Sequence, residues 1–142
     1  MLAIDPKTWL EILAEAWRVY PMEACGVLLA PSPETAIERF VPIENAAVSS
    51  RVFTLDPRGY MLAERQADDH GLDVVGVVHS HTHTAAYPSP TDVAEASNPL
   101  VPATWHWAIV SLAWGFPELR SFRLTDEETR SGMAEELVVL KG

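Results

Sequence analysis

The chain has 142 residues, 48% hydrophobic and 21% charged, with a formal net charge of −10 and a single cysteine. That is enough chain for one domain with its own core, of ordinary globular composition. The acidic balance argues against nucleic acid, which demands clustered Lys and Arg, and against an anionic membrane surface.

In chain order, Asp5-Pro6 is a helix start, a side-chain acceptor followed by proline at the first turn. Trp9, Ile12, Leu13, Ala16 and Tyr20 recur at helical spacing, and Pro21 ends the helix at Tyr20. Cys25 to Ala30 is a short apolar run closed by Pro31-Ser32-Pro33, which reads as a buried strand. Ala36 to Ile43 partly alternates and should pair with it as a hairpin. A loop follows from Glu44, then a short strand is expected over Arg51–Thr54. Asp56-Pro57 opens a second helix running through Tyr60, Ala63 and Ala67 towards Gly71. Asp73 to Ser80, with continuous valines, reads as a central strand buried on both faces. Ser89-Pro90-Thr91-Asp92 starts a third helix that Asn98-Pro99 stops. Trp105–Leu112 and Leu119–Leu124 are strands around a Trp114–Pro117 turn. Thr125 to Glu136 is polar and is expected to be exposed or partly ordered, with Leu137–Leu140 docking as a last strand.

One cysteine, Cys25, fits a reducing compartment. No run approaches the roughly 20 apolar residues of a membrane span. The first six residues lack the basic-then-apolar order of a signal peptide. A cytoplasmic protein is expected; the acidic surface suits a basic protein partner, and a homodimer is compatible with the sequence.

The chemistry concentrates at His79-Ser80-His81-Thr82-His83 and the following Ser89 and Asp92. On a strand, His79 and His81 share a face and can hold one ion. Asp92 can return as a third ligand at the start of the next helix. Two imidazoles and a carboxylate suit zinc and leave a fourth position for water, whose pKa zinc brings to about 7. Other readings stay open. The histidines can be plain loop residues, and Ser89-x-x-Asp92 can be a variant of a capping box. His79, His81 and His83 can form a three-histidine site if the strand continues. Cys25 can pair with a histidine as a nucleophile, although a thiol in an apolar run is ordinarily inert. Glu23, at the entry to the Cys25 strand, is either an exposed acid or a carboxylate with a partner or a job.

His79-x-His81, seven residues, Ser89, two residues and Asp92 resemble the JAMM motif of the MPN+ zinc metalloproteases, H-x-H-x7-S-x2-D. Pro21-Met22-Glu23-Ala24-Cys25-Gly26-Val27-Leu28-Leu29 is similar to that family's glutamate-bearing segment. Val74-Val75-Gly76 and Ile109-Val110-Ser111-Leu112 are further likenesses. The resemblance covers residues 5 to 124, within one domain spanning 1 to 142, and the small size is like that of compact bacterial members. It implies His79, His81 and Asp92 as ligands of one Zn2+ per chain. It implies Glu23 as general base and proton carrier, and Ser89 as hydrogen-bond donor to the oxyanion. The implied reaction is hydrolysis of an amide at the C-terminal tail of a ubiquitin-like or sulfur-carrier protein. A hydrolase of small amides or peptides and a non-catalytic MPN-type binding module are the alternatives, and the complete residue set speaks against the latter. Thr82 stands where the family usually has proline, which keeps His83 as a group that orients a ligand or touches substrate. The expected fold is α/β, MPN/JAMM-like and cytidine-deaminase-like. It is a mixed, curved sheet flanked by helices, the first helix on one side and the second on the other.

Overall fold

Three proline-started helices pack on a six-stranded mixed sheet in the computed structural model, which describes residues 1–141. Helix α1 (Pro6–Arg18) begins where the Asp5 carboxylate accepts the Thr8 N–H at 2.7 Å. Helix α2 (Pro57–Asp69) begins the same way, Asp56 accepting from Gly59 N at 2.9 Å. Each cap satisfies an N–H that the first turn leaves without a partner. Helix α3 (Pro90–Ala96) carries a full capping box between Ser89 and Asp92.

Strand β1 is Leu2–Ile4, β2 is Cys25–Ala30, β3 is Arg39–Ile43 and β4 is Asp73–His81. Strands β5 (His106–Ser111), β6 (Glu118–Asp126), β7 (Ser131–Glu136) and β8 (Val138–Leu140) complete the set. The main sheet runs β3-β2-β4-β5-β6-β7, and β1 with β8 forms a separate parallel pair. Only β4 and β5 are parallel within the main sheet; the other neighbours are antiparallel. The β4–β5 crossover carries α3, so the crevice at the carboxyl end of β4 opens beside that helix, where open α/β sheets ordinarily bind ligands.

The two faces of the sheet bury different helices, as expected from the sequence. Ile12 and Ala16 of α1 pack with Leu28, Ala30, Val78 and Val110. Ala63 and Ala67 of α2 pack with Val27, Leu29 and Ile43. Ala96 of α3 joins Val77, Trp107 and Ile109 on that same second face. A bulge interrupts β4 upstream of its two histidines. Leu28 pairs with Gly76 but Leu29 pairs with Val74, so Val75 is an extra residue. Val75 and Val78 therefore both pack on the α1 side although three residues apart, and Val77, His79 and His81 point to the other.

Some expectations are corrected. Helix α1 stops at Arg18, two residues before Tyr20. Residues 51–54 form no strand; a lone bridge joins Asn45 and Leu55, because the Asn45 side chain occupies this segment's backbone groups. Residues 125–136 are largely exposed, as expected, but fully ordered: β6 extends to Asp126 and β7 pairs along it as the sheet's edge. Strand β1, unmarked in the sequence, pairs Leu2 with Val138 and so gives the last strand its dock. Among the described residues no helix is long and apolar enough to cross a membrane.

Candidate active site

Pairing Cys25 with His79 fixes the site's geometry. Just before β2 begins, Ala24 O still accepts the Ser80 N–H, and this carries Glu23 close enough to His81 for their charges to interact. Parallel pairing with β5, His79 beside Ile109 and His81 beside Ser111, holds the histidine strand from its other edge. Asp92 arrives from the first turn of α3, positioned by its own capping box.

The three side chains meet at their tips. His79 Nε2 and His81 Nε2 lie 3.1 Å apart, and each is 3.2 Å from Asp92 Oδ2. All three residues are buried. His81 Nδ1 donates to the Ala85 carbonyl at 2.8 Å. A carbonyl only accepts, so in the neutral ring the proton sits on Nδ1 and the Nε2 lone pair faces the cluster. His79 Nδ1 is buried without a hydrogen-bond partner, and its ring is held instead by Phe53, centroids 4.3 Å apart. Burial drives the His79 pKa down, keeping that ring neutral. Asp92 stays ionised: burial opposes its charge, but hydrogen bonds from His79 and His81 outweigh it and hold its pKa well below the carboxylate range. His79 Nε2, His81 Nε2 and Asp92 Oδ2 thus converge on one point. A cation placed there would take one lone pair from each. Ligand atoms about 2.0–2.1 Å from one tetrahedral ion lie roughly 3.3–3.5 Å apart, close to the spacings seen. His79, His81 and Asp92 can therefore hold a metal ion.

Glu23 is 3% exposed, and burial pushes its carboxyl up to about 7, with the His81 charge lowering it and the Asp92 charge raising it. It belongs to no helix or strand. Its N–H donates to Ser49 O at 2.7 Å, and its carbonyl accepts from Asn45 Nδ2 at 3.1 Å. The next residue, Ala24, donates to Ser80 Oγ at 2.7 Å and accepts from Ser80 N at 2.9 Å. Ser89 Oγ accepts the Asp92 N–H at 3.1 Å, while Ser89 N donates to Asp92 Oδ2 at 2.9 Å. Capping uses only a lone pair of the Ser89 hydroxyl, so its proton remains available as a donor.

Two of the other sequence readings do not survive. His83 is exposed and outside the converging group, because β4 ends at His81. Its Nδ1 lies 2.7 Å from Thr82 Oγ1 and its ring 6.2 Å from that of Tyr20, so a three-histidine site is ruled out. Cys25 is buried, bonds Ile43 O at 3.3 Å and has its thiol pushed up to about 12 by burial, which makes it a poor nucleophile. Asn45 and Phe53 carry no signal in the sequence. Both lie in the 44–55 segment, and only the structure brings them to Glu23 and His79.

The model of the prokaryotic homologues of the JAB domain matches residues 5–125. The CysO-cysteine peptidase of Mycobacterium tuberculosis is 39% identical over 116 residues, 81% of this chain and 77% of that protein. A probable TtuB-protein conjugate cleaving protease of Thermus thermophilus is 28% identical over 131 residues, covering 92% and 77%. A solution structure of a Desulfitobacterium hafniense protein superposes with a TM-score of 0.84 at 32% identity, over 99% of this chain and 93% of that one. Family match, fold and converging side chains agree: the chain belongs to the prokaryotic JAB-domain (JAMM/MPN) family, and it is a peptidase of that family.

Proposed function

We propose that the protein is a zinc-dependent hydrolase of an amide bond at the C-terminal tail of a ubiquitin-like or sulfur-carrier protein. The observation that carries this is the meeting of His79 Nε2, His81 Nε2 and Asp92 Oδ2 within 3.2 Å, with the buried Glu23 carboxyl close enough for its charge to interact with His81. Two imidazoles and one carboxylate are a catalytic zinc set rather than a structural one. Bound there, zinc would acidify a water and polarise the amide carbonyl.

The chain's own residues do the rest. Glu23, its pKa near 7, takes a proton from the attacking water and returns it to the amide nitrogen as the C–N bond breaks. The products are a carboxylate and a free amine, and Glu23 ends ready for the next cycle. The Ser89 hydroxyl donates to the oxygen that gains negative charge on the attacked carbonyl.

Burial supports a tail as substrate. His79, His81, Asp92 and Glu23 are each less than a tenth exposed. A folded surface cannot reach such a site, but an extended chain end can. The names of the relatives, which refer to CysO-cysteine and to TtuB-protein conjugates, point the same way.

The test is metal analysis of the purified protein, together with cleavage of carrier proteins bearing a C-terminal extension, with and without chelator. About one zinc per chain and chelator-sensitive release of the extension are expected. A metal-free wild type, or cleavage indifferent to chelator, would sink the reading.

A further inference from the structure

We propose that Asn45 is the positioning residue for the Glu23 carboxyl. The inference rests on the reading of Glu23 as the base. A base must sit within hydrogen-bond reach of the proton it takes, and a misplacement of about 1 Å can cost a hundredfold in rate. Glu23 has no secondary structure to hold it. On one side Ala24 is tied to β4 through Ser80. On the other side Met22 N donates to Val19 O, and the backbone of Glu23 itself is tied to the 45–54 segment: Glu23 N to Ser49 O, and Asn45 Nδ2 to Glu23 O.

Asn45 is the hub of that segment. Its Nδ2 donates to Glu23 O and to Val52 O, both at 3.1 Å. Its Oδ1 accepts from Ala47 N at 3.0 Å and Thr54 N at 2.9 Å. One amide thus uses both its donors and both its acceptor sites. It folds the segment into a strap anchored on the base's own backbone. The strap also touches the ligand strand, through Phe53 stacked on His79 and through the Thr82 hydroxyl donating to Ser50 O at 3.3 Å. All four hydrogen bonds of the Asn45 side chain go to backbone groups, none of them of His79, His81 or Asp92, so its effect on the reaction runs through Glu23.

Asn45→Asp separates the two halves of this role. The carboxylate still accepts from Ala47 and Thr54, but it cannot donate to Glu23 O, and it sets an acceptor against that carbonyl. Asn45→Ser, which adds no charge and is too short to reach, is made alongside it. With the zinc-loaded full-length protein and an extended carrier as substrate, both variants should lose about 30- to 100-fold in kcat. KM should stay within about twofold, and zinc content should equal wild type. A kcat within threefold of wild type in either variant overturns the inference. So does a loss matched by zinc loss or by a raised KM, which would mark Asn45 as merely structural. Glu23→Gln keeps the two readings apart. If it retains turnover, the assignment of the base is wrong. If it is inactive while the Asn45 variants are fully active, only the role of Asn45 falls.

Discussion

The phenyl ring of Phe53 lies against the imidazole of His79 with centroids 4.3 Å apart and planes inclined by 22°. It takes the place of the hydrogen bond that His79 Nδ1 lacks. Metal-binding histidines are ordinarily oriented through their second nitrogen, and losing such support costs about 10- to 100-fold in metal affinity. Phe53→Ala should therefore weaken zinc binding about tenfold, read by competition with a chromogenic chelator. An unchanged affinity would show that the β4 backbone alone orients the ring.

Ser89 caps α3 and, in the proposed reaction, also donates to the oxyanion; two substitutions tell the roles apart. Ser89→Thr keeps an acceptor for Asp92 N and a hydroxyl donor, so stability and kcat should stay near wild type. Ser89→Ala removes both. The lost cap should cost about 1 kcal/mol in chemical denaturation, and the lost donor about 100- to 1,000-fold in kcat. Equal activity of the alanine and threonine variants would confine Ser89 to capping.

Far from the site, Glu136 makes stability depend on acid. Burial works against its charge. The His106 ring at 2.6 Å, the N-terminal ammonium of Met1 at 2.8 Å and the Ser121 hydroxyl at 2.7 Å together outweigh that and hold the carboxyl at about 2 against an ordinary 4.5. Because the folded value is the lower one, this stabilisation is complete above pH 4.5 and is lost as pH falls towards 2. It amounts to about 3 kcal/mol. Urea unfolding of the wild type from pH 6 to pH 2.5 should show the decline, and Glu136→Gln should flatten it. Parallel curves for the two proteins would contradict this assignment.

The convergence of His79, His81 and Asp92 is legible in the sequence because their spacing follows from local geometry. A strand end places His79 and His81 on one face, and a helix cap fixes Ser89 relative to Asp92. The main-sheet strands up to β6 and the opposite placement of α1 and α2 were readable for the same reason, since alternation and capping signals are local. The remainder depends on contacts far apart in sequence. Strand β1 is three residues long and is defined by its pairing with β8 at the other end of the chain. Strand β7 shows no apolar alternation because it is an edge whose outer side faces water. Asn45 and Phe53 sit in a segment that looks like an ordinary loop, and their importance comes from what folds against them.

The extra residue in β4 has a consequence for where this chain can change length without losing its site. Leu28 and Leu29 are neighbours on β2, yet they pair with Gly76 and Val74, so Val75 has no partner of its own in that ladder. Deleting Val75 would close the bulge into a regular ladder. Val74 would still pair with Leu29 and His79 with Cys25, so both imidazoles would keep their face of the sheet and still meet Asp92. The loss would fall on the core under α1, one valine smaller. A relative with a strand one residue shorter before the first histidine could thus hold the same three side chains together.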